Sequence, residues 1–405
     1  MPMGKRVMIV GAGAAGCFCA IEMKRRHPDF TVVVLEALSQ PLAKVSVTGG
    51  GRCNLTNTFD GVSSLESVYP RGFRLIRRVF NRFSPEDTVR WWENEGVRLV
   101  AQEDGCIFPA SQDALQIVGT LTRLMRETGV SVRCSVKVEK IGYGDGKFTA
   151  ELSDGGTEEA DIVIFTAGGC SSAALRSILP AEVDVTETVP SLYTLKICDE
   201  GLRTLMGTVV EDVSLTLAGT RFSSQGTLLI TDWGVSGPAT LRLSSYAAPH
   251  LAGARYRGTL LINWLNLNED EIRDWVMRTI AAYGRRTLPN IHPDKLSARL
   301  WMHILDRCSL RRDMRWNEIG SKGISRLVSE LSCANYPVCG RARFKEEFVT
   351  CGGVDLKSVD WGTLECRKIP GLFFAGEVLD IDAVTGGFNL QAAWSTAMAV
   401  SISVD

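Results

Sequence analysis

The sequence predicts an α/β chain in which a Rossmann-type domain is split by a β-rich unit followed by a helical unit. Three observations carry this. Residues 7–36 read as strand, glycine turn, helix and second strand ending in an acid. Apolar strands that end in small-residue loops recur near positions 165 and 374. Between them, from about position 189, the pattern turns to strands alternating with glycine turns and then to charged helices.

The opening stretch organises the rest. Val7, Met8, Ile9 and Val10 lead into Gly11-Ala12-Gly13-Ala14-Ala15-Gly16, a Gly-x-Gly-x-x-Gly. The first glycine permits the tight turn, the second lets a pyrophosphate approach the backbone, and the third allows helix and sheet to pack closely. A helix running to about Arg26 then aims its first amides and positive dipole end at the phosphates. The next strand, Thr31–Leu35, ends in Glu36, a carboxylate placed to accept from ribose hydroxyls. Ala37 follows with no arginine beside it, and Glu36 would repel a 2′-phosphate. The site therefore suits FAD or NAD and not NADP.

At 405 residues the chain is long enough for two or three domains. Its 45% apolar and 22% charged content is that of an ordinary globular protein. A net charge of −1 provides no general field for nucleic acid or an anionic membrane, so no nucleic-acid partner is expected. The twelve cysteines form no Cys-x-x-Cys pair and no secretory leader opens the chain, so reduced thiols in a cytoplasm are expected. Residues 384–404 lack charge, but two glycines, Asn389, Gln391 and several hydroxyls make them a buried helix and not a membrane span.

Taken in order, the stretch after Glu36 carries Lys44 and then Thr48-Gly49-Gly50-Gly51-Arg52-Cys53-Asn54. Consecutive glycines cost conformational entropy and are kept where backbone must pass close to something flat or anionic. Arg52 and Asn54 stand ready as donors to a phosphate or a flavin edge. Residues 69–82 place apolar side chains at helical spacing and arginines on the solvated face. Ser84 with Pro85 opens a helix closed by Gly96, and Ser111 is expected to cap another that Gly129 stops. Strand periodicity over 131–141 and 147–152 predicts a β-meander, in which Val138 is positioned to offer backbone atoms to an adenine. A buried strand then ends in Ala167-Gly168-Gly169.

The insert is expected to comprise a β-rich domain over 189–268 and a helical unit over 269–335. The nucleotide-binding domain then occupies 1–188 and 336–405. In its second part Phe348 through Val354 read as strand and turn, and another strand leads into Gly376 and Glu377. Glu377 or Asp380 is placed to accept from ribityl hydroxyls. Gly386-Gly387-Phe388-Asn389-Leu390 opens the last helix, whose N-terminal dipole is available to a carbonyl or developing anion.

The glycine turn at 11–16, residues 48–57, Val349-Thr350-Cys351-Gly352-Gly353-Val354, and residues 374–380 with 385–391 together resemble the BaiN-like (YhiN-like) FAD-dependent oxidoreductases of bacteria. The resemblance covers nearly the whole chain. It implies a split FAD-binding domain with an inserted β-barrel-like unit and a small helical unit. It also implies that Glu36, Lys44, Asn54, Val138, Gly376, Glu377, Asp380 and the turn 387–390 surround FAD. The segment Thr231-Asp232-Trp233-Gly234 resembles one that has histidine in most family members where Asp232 stands here.

The expected activity is hydride transfer through flavin N5 to or from a small organic substrate, by a reductase drawing on NAD(P)H. Family members are linked to reduction of unsaturated oxo-steroid bile acids and to oxidation of a small aminoketone. No second Gly-x-Gly-x-x-Gly follows a strand, so any nicotinamide donor visits transiently. Two alternatives remain open: a flavin oxidase of a small amine or aminoketone producing hydrogen peroxide, and a flavin-bound scaffold or RNA-associated protein. No metal site and no catalytic side chain is identified. Cys53 and Cys351 are read as packing residues, and a redox disulfide is not expected.

Overall fold

The computed structural model describes residues 4–342 and 349–405. The chain divides into two compact units, one formed by the chain up to Pro190 together with the part from Val349 on, the other by the intervening segment.

The first unit is built on a five-stranded parallel sheet ordered Leu372–Phe374, Ile162–Phe165, Arg6–Val10, Thr31–Leu35 and Ser131–Arg133. Val7 to Val10 pair in register with Ile162 to Phe165 on one side and with Val32 to Leu35 on the other. Central strands covered on both faces read as unbroken apolar runs, which is what these sequences are. The helices Ala14–Arg26 and Phe388–Ser403 pack against each other. The second of these is buried almost all round, with Gln391, Ser395, Thr396 and Ser401 fully enclosed. Its polar groups are satisfied inside: Gln391 Nε2 donates to Ser395 Oγ at 2.8 Å and Ser395 Oγ donates to the Phe83 carbonyl at 2.7 Å. Among the described residues no helix is long and apolar enough to cross a membrane.

Several local expectations need correction. The expected long strand over 131–141 is two elements: Ser131–Arg133 joins the parallel sheet, and Val138–Gly144 starts the antiparallel meander with Lys147–Leu152 and Thr157–Ala160. Ser135 carries positive φ at the break, which period alone does not reveal. The helix expected to be capped by Ser111 is Ala114–Thr128, capped by Asp113, whose side chain accepts from the Leu115 amide at 2.8 Å. Ser84 does cap Pro85–Asn94, with a reciprocal bond from the Ser84 amide to Asp87. The arginines of Phe73–Phe80 are solvated, but Arg71, just ahead of that helix, forms a bidentate pair with the fully buried Asp382.

The second unit holds a closed six-stranded barrel ordered Leu195–Ile197, Gly234–Ser236, Ser223–Ile230, Val209–Leu217, Gly258–Asn263 and Ala334–Arg341. The helices Glu269–Tyr283, Ala298–Arg307 and Gly320–Cys333 follow its fifth strand. One continuous core joins barrel and helices, running from Leu215, Leu228 and Ile262 to Trp301, Trp316 and Leu331. The last barrel strand, Ala334–Arg341, contains position 336, where return to the first unit was expected. Barrel closure needs that strand, because it pairs with both Gly258–Asn263 and Leu195–Ile197. The segment 189–268, expected to be β-rich, also contains the helices Pro238–Tyr246 and Ala248–Gly253. Phe348, assigned to a strand from sequence, lies outside the described residues; the strand is Val349–Val354.

Cys198 and Cys339 are joined as a disulfide, contrary to the expectation of reduced thiols throughout. They lie 141 residues apart, and closure of the barrel brings them to a Cα separation of 6.0 Å. The bridge adjoins the Cys198 amide bond to the Pro337 carbonyl, so its proximity is a product of tertiary structure.

Candidate active site

The glycine turn is built as its residue types require. Gly11 has φ of +101°, and a Cβ there would lie 2.6 Å from the Thr166 carbonyl oxygen. A Cβ at Gly16 would lie 1.9 Å from the Gly11 carbonyl oxygen, so the helix Ala14–Arg26 can seat at this depth only with glycine. Gly13 is different: a Cβ there would meet no protein atom within 4 Å. The open space at position 13 adjoins the helix's first turn, where Ala14 and Ala15 stand. Gly13, the N-cap residue, supplies no side-chain cap. This is a backbone cradle with room for a phosphate.

Glu36 sits at the end of the second strand, its Oε2 accepting from the Ala12 amide at 2.7 Å and its Oε1 from the Leu38 amide at 2.8 Å. These bonds lock the carboxylate beside the glycine turn, with the exposed Ala37 following. The Val136 amide donates to the Glu36 carbonyl at 2.9 Å, and this brings the start of the meander alongside. Val138 is buried there and pairs with Leu152.

The triple glycine adopts three successive left-handed conformations, with φ of +60°, +67° and +80° at Gly49, Gly50 and Gly51. Positions 50 and 51 face open space. Arg52 is exposed, with its guanidinium 4.4 Å from the centre of the Phe108 ring. Cys53 is fully buried, and burial pushes its thiol up to about 12; Cys351 is pushed to about 12 for the same reason. Neither is a thiolate at neutral pH, consistent with packing roles. The Asn54 amide is satisfied when its nitrogen donates to the Thr56 and Ile107 carbonyls and its oxygen accepts from the Gly387 amide at 3.1 Å. Asn54 thereby ties the triple-glycine segment to the start of the last helix.

The second-half loops meet the first at defined contacts. Gly376, with φ of +79°, lies so close to Ala15 that a Cβ would stand 2.8 Å from the alanine's own. The Gly168-Gly169 loop abuts Glu377, and a Cβ at Gly169 would lie 2.9 Å from Glu377 Oε1. Ala167 lies against Gly11, its Cα 2.8 Å from where a Gly11 Cβ would be. Glu377 bonds Lys44 Nζ at 2.8 Å through Oε2 and the Thr350 amide at 2.9 Å through Oε1. Gly386 and Gly387 both have positive φ, and a Cβ at Gly387 would stand 2.3 Å from the Thr56 carbonyl oxygen. Asn389 holds the turn, its Oδ1 accepting from the Ala383 amide at 2.9 Å and its Nδ2 donating to the Ala383 carbonyl at 3.0 Å. Phe388 packs edge-on to Phe59, and Leu390 lies one residue beyond Asn389 in the same helical turn.

Asp380 is the one site carboxylate left wanting. Its Oδ1 is buried without a hydrogen-bond partner among the described residues. Burial, reinforced by the charge of Asp382, pushes its carboxyl above the usual range. An orphaned acceptor of this kind, with open space above Gly13, Gly50 and Gly51, fits a dinucleotide that carries hydroxyls as well as phosphates.

Sequence reasoning missed several residues that hold these loops. Thr166 Oγ1 donates to the Val10 and Gly11 carbonyls, both at 2.9 Å. Tyr69 Oη donates to the Phe388 carbonyl at 2.7 Å, and Asn57 Nδ2 donates to the Gly386 carbonyl at 3.0 Å. Thr166 ends a buried strand beside the small-residue loop, a visible signal; Tyr69 offers none, because its partner is 319 residues away.

A model of the HI0933-like protein Rossmann domain matches residues 5–402. The ribosomal RNA dihydrouridine synthase of Escherichia coli (strain K12) is 28% identical over 97% of this chain and 96% of its own length. The 3-dehydro-bile acid delta(4,6)-reductase of Clostridium scindens is 28% identical over 96% and 97% respectively. Among solved structures, the open conformation of a flavocytochrome c3 fumarate reductase overlays with a TM-score of 0.48 at 14% identity, covering 99% of this chain and 78% of that one. The chain belongs to the HI0933-like Rossmann family of flavoprotein oxidoreductases.

Two substitutions test the cradle. Gly13→Ala is expected to leave the melting temperature of the apoprotein nearly unchanged, since its methyl meets no protein atom, while weakening FAD retention by roughly tenfold or more. Equilibrium dialysis of reconstituted protein checks this. Asp380→Asn is expected to stabilise the apoprotein above the carboxyl's folded titration and to weaken FAD binding by roughly tenfold. The raised carboxyl binds its proton more tightly in the folded state, so that state is favoured at low pH and loses the advantage as pH rises through the folded value. The variant's gain in melting temperature should therefore grow with pH across that window and vanish below about pH 4, the ordinary carboxylate range.

Proposed function

We propose that the chain is an FAD-dependent reductase that adds hydride to a carbon–carbon double bond conjugated with a carbonyl, with NADPH or NADH as electron donor in the cytoplasm. The observation that carries this reading is that two full-length relatives are named for reactions sharing one bond change. Dihydrouridine is uridine with its ring double bond saturated, and that bond is conjugated with a ring carbonyl. A 3-dehydro-bile acid with delta(4,6) unsaturation likewise presents double bonds conjugated with its ketone. Conjugation makes the distal carbon electrophilic and places the developing negative charge on the carbonyl oxygen.

FAD held in this cradle and reduced by the nicotinamide donor would supply the hydride from N5. The chain's own residues hold the cofactor and shape the charge around it. The helix Phe388–Ser403 begins after Gly387 without a side-chain cap, so its first amides and dipole remain available to negative charge. Asn54, Asn57 and Tyr69 fix this helix start from three sides, which keeps the amides in place without reorganisation. The single glycine-rich strand-to-helix turn serves FAD, and so the nicotinamide donor visits and leaves.

Anaerobic mixing of the FAD-loaded protein with NADH and then NADPH tests the electron source. Bleaching of the flavin absorbance within seconds by at least one donor is expected. No bleaching by either, with peroxide released when small amines are supplied in air, would replace this reading with the oxidase.

A further inference from the structure

On the barrel of the second unit, the turn Thr231-Asp232-Trp233-Gly234 presents a large aromatic surface to water. Trp233 is 42% exposed, whereas Trp264, Trp301 and Trp316 of the same unit are wholly buried. The turn is stiff. The Thr231 amide donates to the Gly234 carbonyl at 2.8 Å, the Ile197 amide to the Trp233 carbonyl at 3.0 Å, and Arg203 Nε to the Asp232 carbonyl at 2.6 Å. Gly234 cannot be replaced, because a Cβ would lie 2.4 Å from the Leu195 carbonyl oxygen.

Lys196 places its ammonium 5.5 Å from the centre of the Trp233 ring, and no carboxylate pairs with it among the described residues. Residues 203–209 run alongside, tied by the Gly207 amide to the Ile230 carbonyl at 2.9 Å, and add the exposed side chains of Arg203, Met206 and Val209. The turn thus holds a half-exposed indole in fixed orientation with a cation 5.5 Å from its ring centre.

We infer that Trp233 and Lys196 form a stacking platform for one base of single-stranded RNA, with Lys196 meeting the adjoining phosphate. The inference rests on the proposed reaction class, in which a uridine ring in RNA is one substrate. A base suits this surface because it needs one open ring face and brings its own negative charge. A fused steroid suits it poorly, since a single half-exposed indole face covers only part of its apolar rings. Asp232, also exposed beside the indole, is an acceptor for an exocyclic amine and repels a second phosphate. The platform is local, so the overall net charge of −1 does not oppose it.

The test is fluorescence anisotropy of a short, fluorescein-labelled single-stranded oligoribonucleotide with the FAD-loaded full chain over a series of KCl concentrations. Trp233→Ala is expected to weaken binding by roughly 5- to 150-fold, and Trp233→Phe to retain most of it. Lys196→Gln is expected to lower the slope of log affinity against log salt by about 0.7. Each variant should keep its flavin and bleach with the nicotinamide donor as the parent does, which separates failure of this surface from failure of the reductase reading. The inference is overturned if the parent chain shows no binding at low salt. It is also overturned if both variants match the parent in affinity and slope, or if Trp233→Ala impairs only reduction of a 3-oxo-steroid acid.

Discussion

The first helix can begin where it does only because position 16 carries no side chain. Its Cα lies against the Gly11 carbonyl, at a distance where a methyl group would overlap the oxygen. That contact sets the depth at which the helix Ala14–Arg26 sits over the sheet. Thr166 then clamps the turn from the neighbouring strand, Gly376 closes against Ala15, and Glu377 joins the loop at 168–169 to Lys44. The close approach of one backbone turn to its own helix thus propagates through three further loops. Gly13, the member of the motif at which an added methyl would meet no protein atom, is where an anion fits.

The site combines fully satisfied groups with one that is not. Asn54, Asn389 and Tyr69 spend their hydrogen bonds on backbone and fix loop geometry, while Glu377 is held by a lysine and an amide. Asp380 keeps a buried oxygen unpartnered beside the Arg71–Asp382 pair. Proteins retain such a cost where a ligand relieves it, and a polyhydroxylated cofactor chain is a ligand of that kind.

The parts of this architecture legible in sequence are those encoded by local backbone demands. The glycine turn, the acid at the end of the second strand, the N-cap at Ser84 and the stop at Gly129 all follow from residue type at short range. The illegible parts arise at long range. Nothing near Cys198 points to Cys339, nothing near Arg71 points to Asp382, and the role of Ala334–Arg341 in closing the barrel appears only once its two partner strands are in place. The switch at Ser135 from parallel sheet to meander was hidden because both sides share the same apolar period. The relatives add what neither level contains, since a cofactor cradle is compatible with many substrates and only the named reactions single out the conjugated carbonyl.

The central claim is that this chain, once reduced, passes hydride to a conjugated double bond. The direct measurement is anaerobic reoxidation: the bleached protein is mixed with a conjugated enone, with a saturated ketone of the same skeleton, and with a uridine-containing RNA, while the flavin absorbance is followed. The account predicts that colour returns with the enone or the RNA, giving a saturated product, and does not return with the saturated ketone. Recovery of colour only when oxygen is admitted, with peroxide as the sole product, would contradict it.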